Sequence, residues 1–260
     1  MSALREFATR LDGAATARAA IPQLSSHASL SVGDAYDVQR ELVGQRLGRG
    51  ERLVGVKLGF TSRAKMLQMG VSDLIWGRLT SGMLLEEGGR LRTADYIHPR
   101  IEPEIAFVLR QPLAGRVTAG EALAAVGAVA PALEVIDSRY ADFRFNLADV
   151  VADNCSSAGV VIGPWRPVPA DLDNLGVELW IDGRISQCGS TAAILGDPVR
   201  ALVAAARLAA EAGLVLEPGW IVMAGAATAA EALAGARHAR VAIEGLGGAS
   251  IHVDKGAARA

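Results

Sequence analysis

Two glutamates two residues apart open the chemistry of this chain. In "HPRIEPEIAFVL", Glu102 and Glu104 precede the run Ile105, Ala106, Phe107, Val108 and Leu109. A strand repeats every two residues, so both carboxylates share one face, ~7 Å apart at the backbone. Neighbouring carboxylates repel, and if buried they share a proton or meet a cation. A third acid, Glu134, sits in the apolar stretch "VAPALEVIDSRY", with Asp137 and Arg139 after it. Three oxygen donors without His or Cys favour a hard cation, Mg²⁺ or Mn²⁺. A Glu-x-Glu on a strand is also what a solvated face looks like, so spacing leaves both readings open.

Other polar residues stand in apolar settings. Lys57 lies between Val56 and Leu58 in "VGVKLGF". It either points outward, snorkels, or supports negative charge on a ligand. "DVVADNCSSAG" and "QCGSTAAILGDP" read as turns rich in capping residues or as loops lining a site. There is no P-loop, no G-x-G-x-x-G after a strand and no G-x-S-x-G elbow. The four histidines show no ligand spacing, although His98 lies close to the acidic strand.

Elements must position these residues. Ser31, with Asp34 three residues on, starts a helix whose Tyr36, Val38, Leu42, Val43 and Leu47 fall roughly on one face. Thr118 with Glu121 starts a second helix. Asp197 caps a third, with Pro198 in its first turn and Gly213 at its stop. Short strand-like runs bounded by Gly, Pro and Asp fill the chain from residue 53, with turns at Asp182-Gly183 and Pro218-Gly219. Pro103 cannot donate to a ladder, which suggests an edge or a bulge. The expectation is one α+β domain over 1–260: a helical N-terminal layer at 1–50 and a β-rich catalytic body at 51–260.

Bulk properties exclude other classes. The 260 residues carry a net charge of −2, and 51% are hydrophobic. Nothing resembles a nucleic-acid patch, and no apolar run reaches the ~18 residues of a membrane span. Two cysteines without Cys-x-x-Cys spacing leave no zinc or disulfide framework. The start lacks the apolar core of a signal peptide. Cytoplasmic placement is the expectation.

Taken together, "VKLGFTS", "PRIEPEIAFVL", "PALEVIDSRY", "VVADNCSSAG", "GSTAAILGDP" and "LEPGWIVMAGAAT" resemble, in this order, the 2-oxopent-4-enoate hydratases and 4-oxalocrotonate decarboxylases. These belong to the fumarylacetoacetate hydrolase-like superfamily. The resemblance implies a mixed β-roll or barrel with helices outside. It implies Glu102, Glu104 and Glu134 as ligands of Mg²⁺ or Mn²⁺, and Lys57 as the catalytic lysine. Hydratase-like chains tend to carry an acid in a D-F-G stretch; here "DLIWGRLT" puts Ile75 at that place, with Asp73 displaced. This favours the decarboxylase branch, acting on 4-oxalocrotonate in the meta-cleavage degradation of aromatic compounds.

On that reading Ile75, Trp76 and Leu74 surround the leaving carboxylate. Arg63, Arg139 and Arg144 are candidates for steering a dicarboxylate. Ser157, Ser190 and Thr228 are candidate hydrogen-bonders to the substrate. The alternatives are the hydratase, a C–C hydrolase of the superfamily, and a non-catalytic partner subunit. The superfamily context implies a homo-oligomer or a complex with the pathway hydratase.

Overall fold

The computed structural model describes residues 3–62, 66–67 and 73–254. Two helices begin the chain, α1 (Ala3–Ala17) and α2 (Val32–Gly48). Ser31 caps α2 as its sequence implies: its hydroxyl accepts the Asp34 N–H, and Asp34 accepts the Ser31 N–H. Val38, Leu42 and Val43 turn inward, while Tyr36 and Leu47 stay half-buried. This face packs with Ala8 and Leu11 of α1 and with Val150 and Val151 of a short helix, α4 (Leu147–Ala152).

Among the described residues the body holds thirteen strands. They are β1 (Leu53–Gly59), β2 (Ile75–Thr80), β3 (Leu84–Leu85), β4 (Arg90–Arg92), β5 (Arg100–Leu109), β6 (Val126–Ile136), β7 (Ser157–Ile162), β8 (Gly176–Ile181), β9 (Arg184–Ser190), β10 (Ile221–Ala226), β11 (Glu231–Ala232), β12 (His238–Ile243) and β13 (Gly247–Asp254). One sheet runs β2-β1-β10-β5-β6-β7-β3, with β11 added to β5. The other runs β4-β13-β12-β8-β9. Their facing side chains, among them Ile105, Phe107, Leu133, Leu179 and Val241, share one apolar core. The helices α3 (Ala119–Ala125) and α5 (Val199–Glu211) pack against each other, and α5 also covers β1 and β10.

Turn chemistry follows the sequence. Asp182 and Gly183 both have positive φ between β8 and β9, as a type I′ hairpin requires. Trp220 N–H closes the Pro218-Gly219 turn onto the Glu217 carbonyl at 3.0 Å. Asp197 accepts the Val199 N–H, so it serves the start of α5 with Pro198 already in helical conformation.

Thr118 and Glu121 form the capping box of α3, which is short because the chain enters β6 at Val126. One expectation needs correcting. Pro103 is not on an edge: β5 lies between β10 and β6. Its carbonyl accepts the Ala227 N–H, so its ring nitrogen faces β10, where the ladder breaks between Met223 and Ala226. The missing donor meets a bulge in the partner strand.

Candidate active site

That bulge shapes the acidic cluster. Glu102 on β5 stands directly opposite Glu134 on β6. Glu104 follows on the same face of β5. One carboxylate oxygen from each acid lies within 4.8 Å of the others. Glu104 and Glu134 are fully buried, and Glu102 is half-buried. Gly225, in the bulge at φ +115°, donates its N–H to Glu104 Oε2 at 2.9 Å. A Cβ at Gly225 would lie 2.2 Å from Thr61 Oγ1, so only glycine fits this close approach.

Glu104 Oε1 and Glu134 Oε1 are buried without a hydrogen-bond partner. Burial pushes the Glu104 carboxyl well above its usual range, and the Glu134 charge pushes the same way; Lys57 and the Gly225 N–H oppose them. Three converging carboxylates, with orphaned oxygens on Glu104 and Glu134, fit a hard divalent cation, which takes oxygen donors and neutralises their repulsion.

Lys57 is placed by β1, between β2 and β10. Its Nζ lies 3.0 Å from Glu134 Oε2 and donates to the Cys155 carbonyl at 3.3 Å. Burial works against its charge, yet Glu134 foremost, with Glu104 and Glu102 behind it, holds its pKa above the ordinary 10.5. The acids around it thus favour the protonated form of Lys57. The Cys155 thiol beside it is pushed up to about 12 by burial, so it is no thiolate nucleophile.

Asn154, Cys155 and Ser156 all have positive φ. The Asn154 amide fixes this turn by accepting the Arg78 N–H and donating to the Arg78 carbonyl, at 2.8 and 2.9 Å.

A cavity of ≈ 570 Å³ opens over Lys57 and Glu102. Leu58, Phe60, Ile75, Ile136, Phe145 and Val150 form its apolar wall. Arg100, Arg144, Thr61, Ser156 and Thr228 add polar groups. No histidine lines it among the described residues.

Residues 61–254 match the model of the fumarylacetoacetate hydrolase C-terminal family. The chain belongs to the fumarylacetoacetate hydrolase family. It is 56% identical over 248 residues to a 4-oxalocrotonate decarboxylase of a Pseudomonas species, covering 95% of this chain and 97% of that one. A solved structure of 4-oxalocrotonate decarboxylase from Pseudomonas putida G7, complexed with magnesium and adipate, superposes with a TM-score of 0.92 at 36% identity. It covers 96% of this chain and 97% of that one. A 2-hydroxyhexa-2,4-dienoate hydratase of Comamonas testosteroni is 35% identical, over 91% of each chain.

In this fumarylacetoacetate hydrolase family member, the sequence-read residues fall into two groups. Lys57, Glu102, Glu104 and Glu134 converge, and Ile75, Arg144 and Thr228 line the cavity above them. Arg63 lies outside the described residues.

Trp76, Leu74, Arg139, Ser157 and Ser190 do not line the cavity. Side chains alternate along β2, so Trp76 stacks on Tyr36 at 5.7 Å and lies under the Arg78 guanidinium at 4.5 Å. Leu74 joins the main core. Arg139 is committed to a buried ion pair with Asp153 and to the Asp137 carbonyl. Ser157 is buried one residue beyond Ser156, which takes the cavity position. Ser190 ends β9 in the other sheet, where its hydroxyl donates to Asn174 Oδ1 and accepts the Ala192 N–H. His98 is bonded through Nε2 to the Ser138 carbonyl at 2.7 Å.

Sequence reasoning missed Arg100 and Gln39. Arg100 precedes Glu102 by two residues, so the same period-two argument places it on the acidic face. Gln39 carried no signal. It is buried within α2, donates to the Trp76 and Val151 carbonyls, and accepts from Arg78.

Proposed function

We propose that the chain decarboxylates 4-oxalocrotonate (2-oxohex-3-enedioate) to 2-hydroxypenta-2,4-dienoate and CO₂. One observation carries the choice among related reactions: above the acidic cluster, the cavity wall holds Ile75 and neither a histidine nor a further acid among the described residues. Adding water to a dienol calls for a proton-transferring group there, and hydrolysis calls for a water-activating base. Decarboxylation needs neither. The likeness to a 4-oxalocrotonate decarboxylase at 56% identity, against 35% for the hydratase, supports the same branch.

Glu102, Glu104 and Glu134 would hold the divalent cation, Mg²⁺ or Mn²⁺, which supplies Lewis-acid polarisation of a 2-oxo acid. Lys57 sets a positive charge at the cluster, 3.0 Å from Glu134. Breaking the C5–C6 bond releases CO₂, and its electron pair moves through C4 and C3 to the C2 oxygen. That oxygen gains negative charge in the transition state, and the fixed ammonium of Lys57 stabilises it there more than in the ground state. The oxygen then takes up one proton, which balances the reaction. Phe60, Ile75, Phe145 and Val150 keep water from C5 while charge passes through it.

Purified protein, Mg²⁺ and freshly made 4-oxalocrotonate test the reading by CO₂ release followed beside ultraviolet loss of the enone. Metal-dependent CO₂ release is the expected result. No CO₂, with water added to supplied 2-hydroxypentadienoate, makes the chain a hydratase.

A further inference from the structure

Two guanidinium groups on the cavity wall have no role in the chemistry above. Arg100 lies on β5, two residues before Glu102 and on the same face, roughly 7 Å along the strand. That separation is on the scale of a six-carbon chain. Arg144 also lines the cavity, next in the chain to Phe143 and Phe145. Neither guanidinium has a carboxylate partner among the described residues. Most other arginines close to acids are already paired, as Arg139 is with Asp153 and Arg207 with Asp73.

Arg100 is also held in place. Its guanidinium carbon stands 4.4 Å from the centroid of the Phe143 ring. Phe143 is itself braced by the His98 ring at 5.0 Å and the Phe145 ring at 6.0 Å. A guanidinium stacked by its face keeps its N–H edges free, and those edges match a carboxylate fork.

Charge points the same way. Among the described residues, the cavity and the cluster beneath it gather three acids against Lys57, Arg100 and Arg144. A bound divalent cation therefore leaves two positive charges in excess, which suits a dianion and not a monoanion.

We infer that Arg100, with Arg144 in the same cavity lining, forms the subsite for the distal carboxylate and selects dicarboxylic over monocarboxylic 2-oxo acids. Phe143 is the positioning residue for Arg100. The inference rests on the decarboxylase reading for the orientation of the substrate, with its 2-oxo acid end at the Glu102–Glu104–Glu134 cluster.

The test is calorimetric and needs no turnover. Mg²⁺-loaded protein is titrated with 2-oxoadipate and with 2-oxohexanoate, which differ only in the distal carboxylate and lack the conjugated bond that decarboxylation uses. Wild type binds 2-oxoadipate at least tenfold tighter. Arg100→Ala loses most of that preference while 2-oxohexanoate affinity stays within about twofold, and Arg100→Lys recovers part of it. Phe143→Leu gives an intermediate loss.

Equal losses for both ligands overturn the inference, because Arg100 then serves the 2-oxo acid end. An undiminished preference in Arg100→Ala also overturns it. Wild type that binds neither 2-oxo acid overturns the decarboxylase reading along with it, whereas failure of the subsite alone leaves 2-oxohexanoate binding intact. Thermal midpoints of the variants are measured in parallel, and Arg100→Lys supplies the comparison if Arg100→Ala does not fold.

Discussion

Glu102 and Glu134 face each other across the β5–β6 ladder, and Lys57 reaches Glu134 at 3.0 Å. Like charges directly opposite in a ladder destabilise it. Among the described residues, this sheet therefore carries repulsion at its centre, which Lys57 offsets at Glu134. A divalent cation relieves it, so Mg²⁺ raises the thermal midpoint of the protein, by about 2.7 kcal/mol of stability at a hundredfold excess over Kd.

Glu104→Gln removes one charge from that cluster while keeping its shape. Calorimetry then shows Mg²⁺ affinity reduced at least tenfold, and turnover is lost. The metal-free variant unfolds no earlier than wild type, because the substitution deletes a carboxylate that burial and Glu134 already disfavour. Unchanged metal affinity contradicts the ligand assignment.

The same carboxylate sets a pH dependence. Glu104 binds a proton more tightly folded than unfolded, so the fold loses stability as pH rises from the ordinary 4.5 toward its raised value. Asp153, pushed by burial to about 6 despite Arg139, acts in the same direction between 3.8 and about 6. The metal-free thermal midpoint therefore falls as pH rises from 4.5 to about 6, where both groups act. Mg²⁺ restores more stability at pH 8 than at pH 5, because its ligands must be deprotonated. A metal-free midpoint that rises from pH 4.5 to about 6 contradicts both shifts.

Much of this site was legible in "PRIEPEIAFVL", because strand period alone puts Glu102 and Glu104 on one face. The pairing of Glu102 with Glu134 was not, since register across a ladder depends on partners far away in the chain. The same limit explains Arg139 and Ser157. Their types suit a substrate, but Asp153 claims the arginine and a one-residue step turns Ser156 into the cavity instead. Trp76 and Ile75 show the pattern from the other side: adjacent residues on β2 serve opposite faces, and sequence gave no sign of which faced the cavity. The capping boxes at Ser31 and Thr118 were readable because every group in them is local. The layered α+β roll came from the resemblance, while its alternating strands came from the residues.

Lys57→Met keeps the length of the side chain and removes its charge. Turnover falls by about 10²–10³, the range seen when a preorganised electrostatic group is lost. Mg²⁺ still binds. A collapse of the thermal midpoint in the Mg²⁺-loaded variant, with no specific loss of turnover, makes Lys57 structural.

Gly225→Ala tests the bulge. The added Cβ meets Thr61, and a residue other than glycine is strained at φ +115°. The substitution costs about 1–3 kcal/mol of stability. It also displaces the N–H that holds Glu104 Oε2, so Mg²⁺ affinity falls with it. A variant with unchanged midpoint and affinity shows the bulge to be dispensable.

Ile75→Asp places a carboxylate in the wall of the cavity over Lys57 and Glu102. CO₂ release falls at least tenfold, whereas Ile75→Leu stays within about threefold. Equal rates in the two variants contradict an apolar role for position 75.

The most direct measurement follows one carbon atom. 4-Oxalocrotonate labelled with carbon-13 at C6 is mixed with protein and Mg²⁺ and watched by NMR. The account predicts that the label leaves as CO₂ and bicarbonate with wild type, and stays in the acid with Glu104→Gln. A label that remains in the soluble acid with wild type, while 2-hydroxypentadienoate supplied separately gains water, contradicts it.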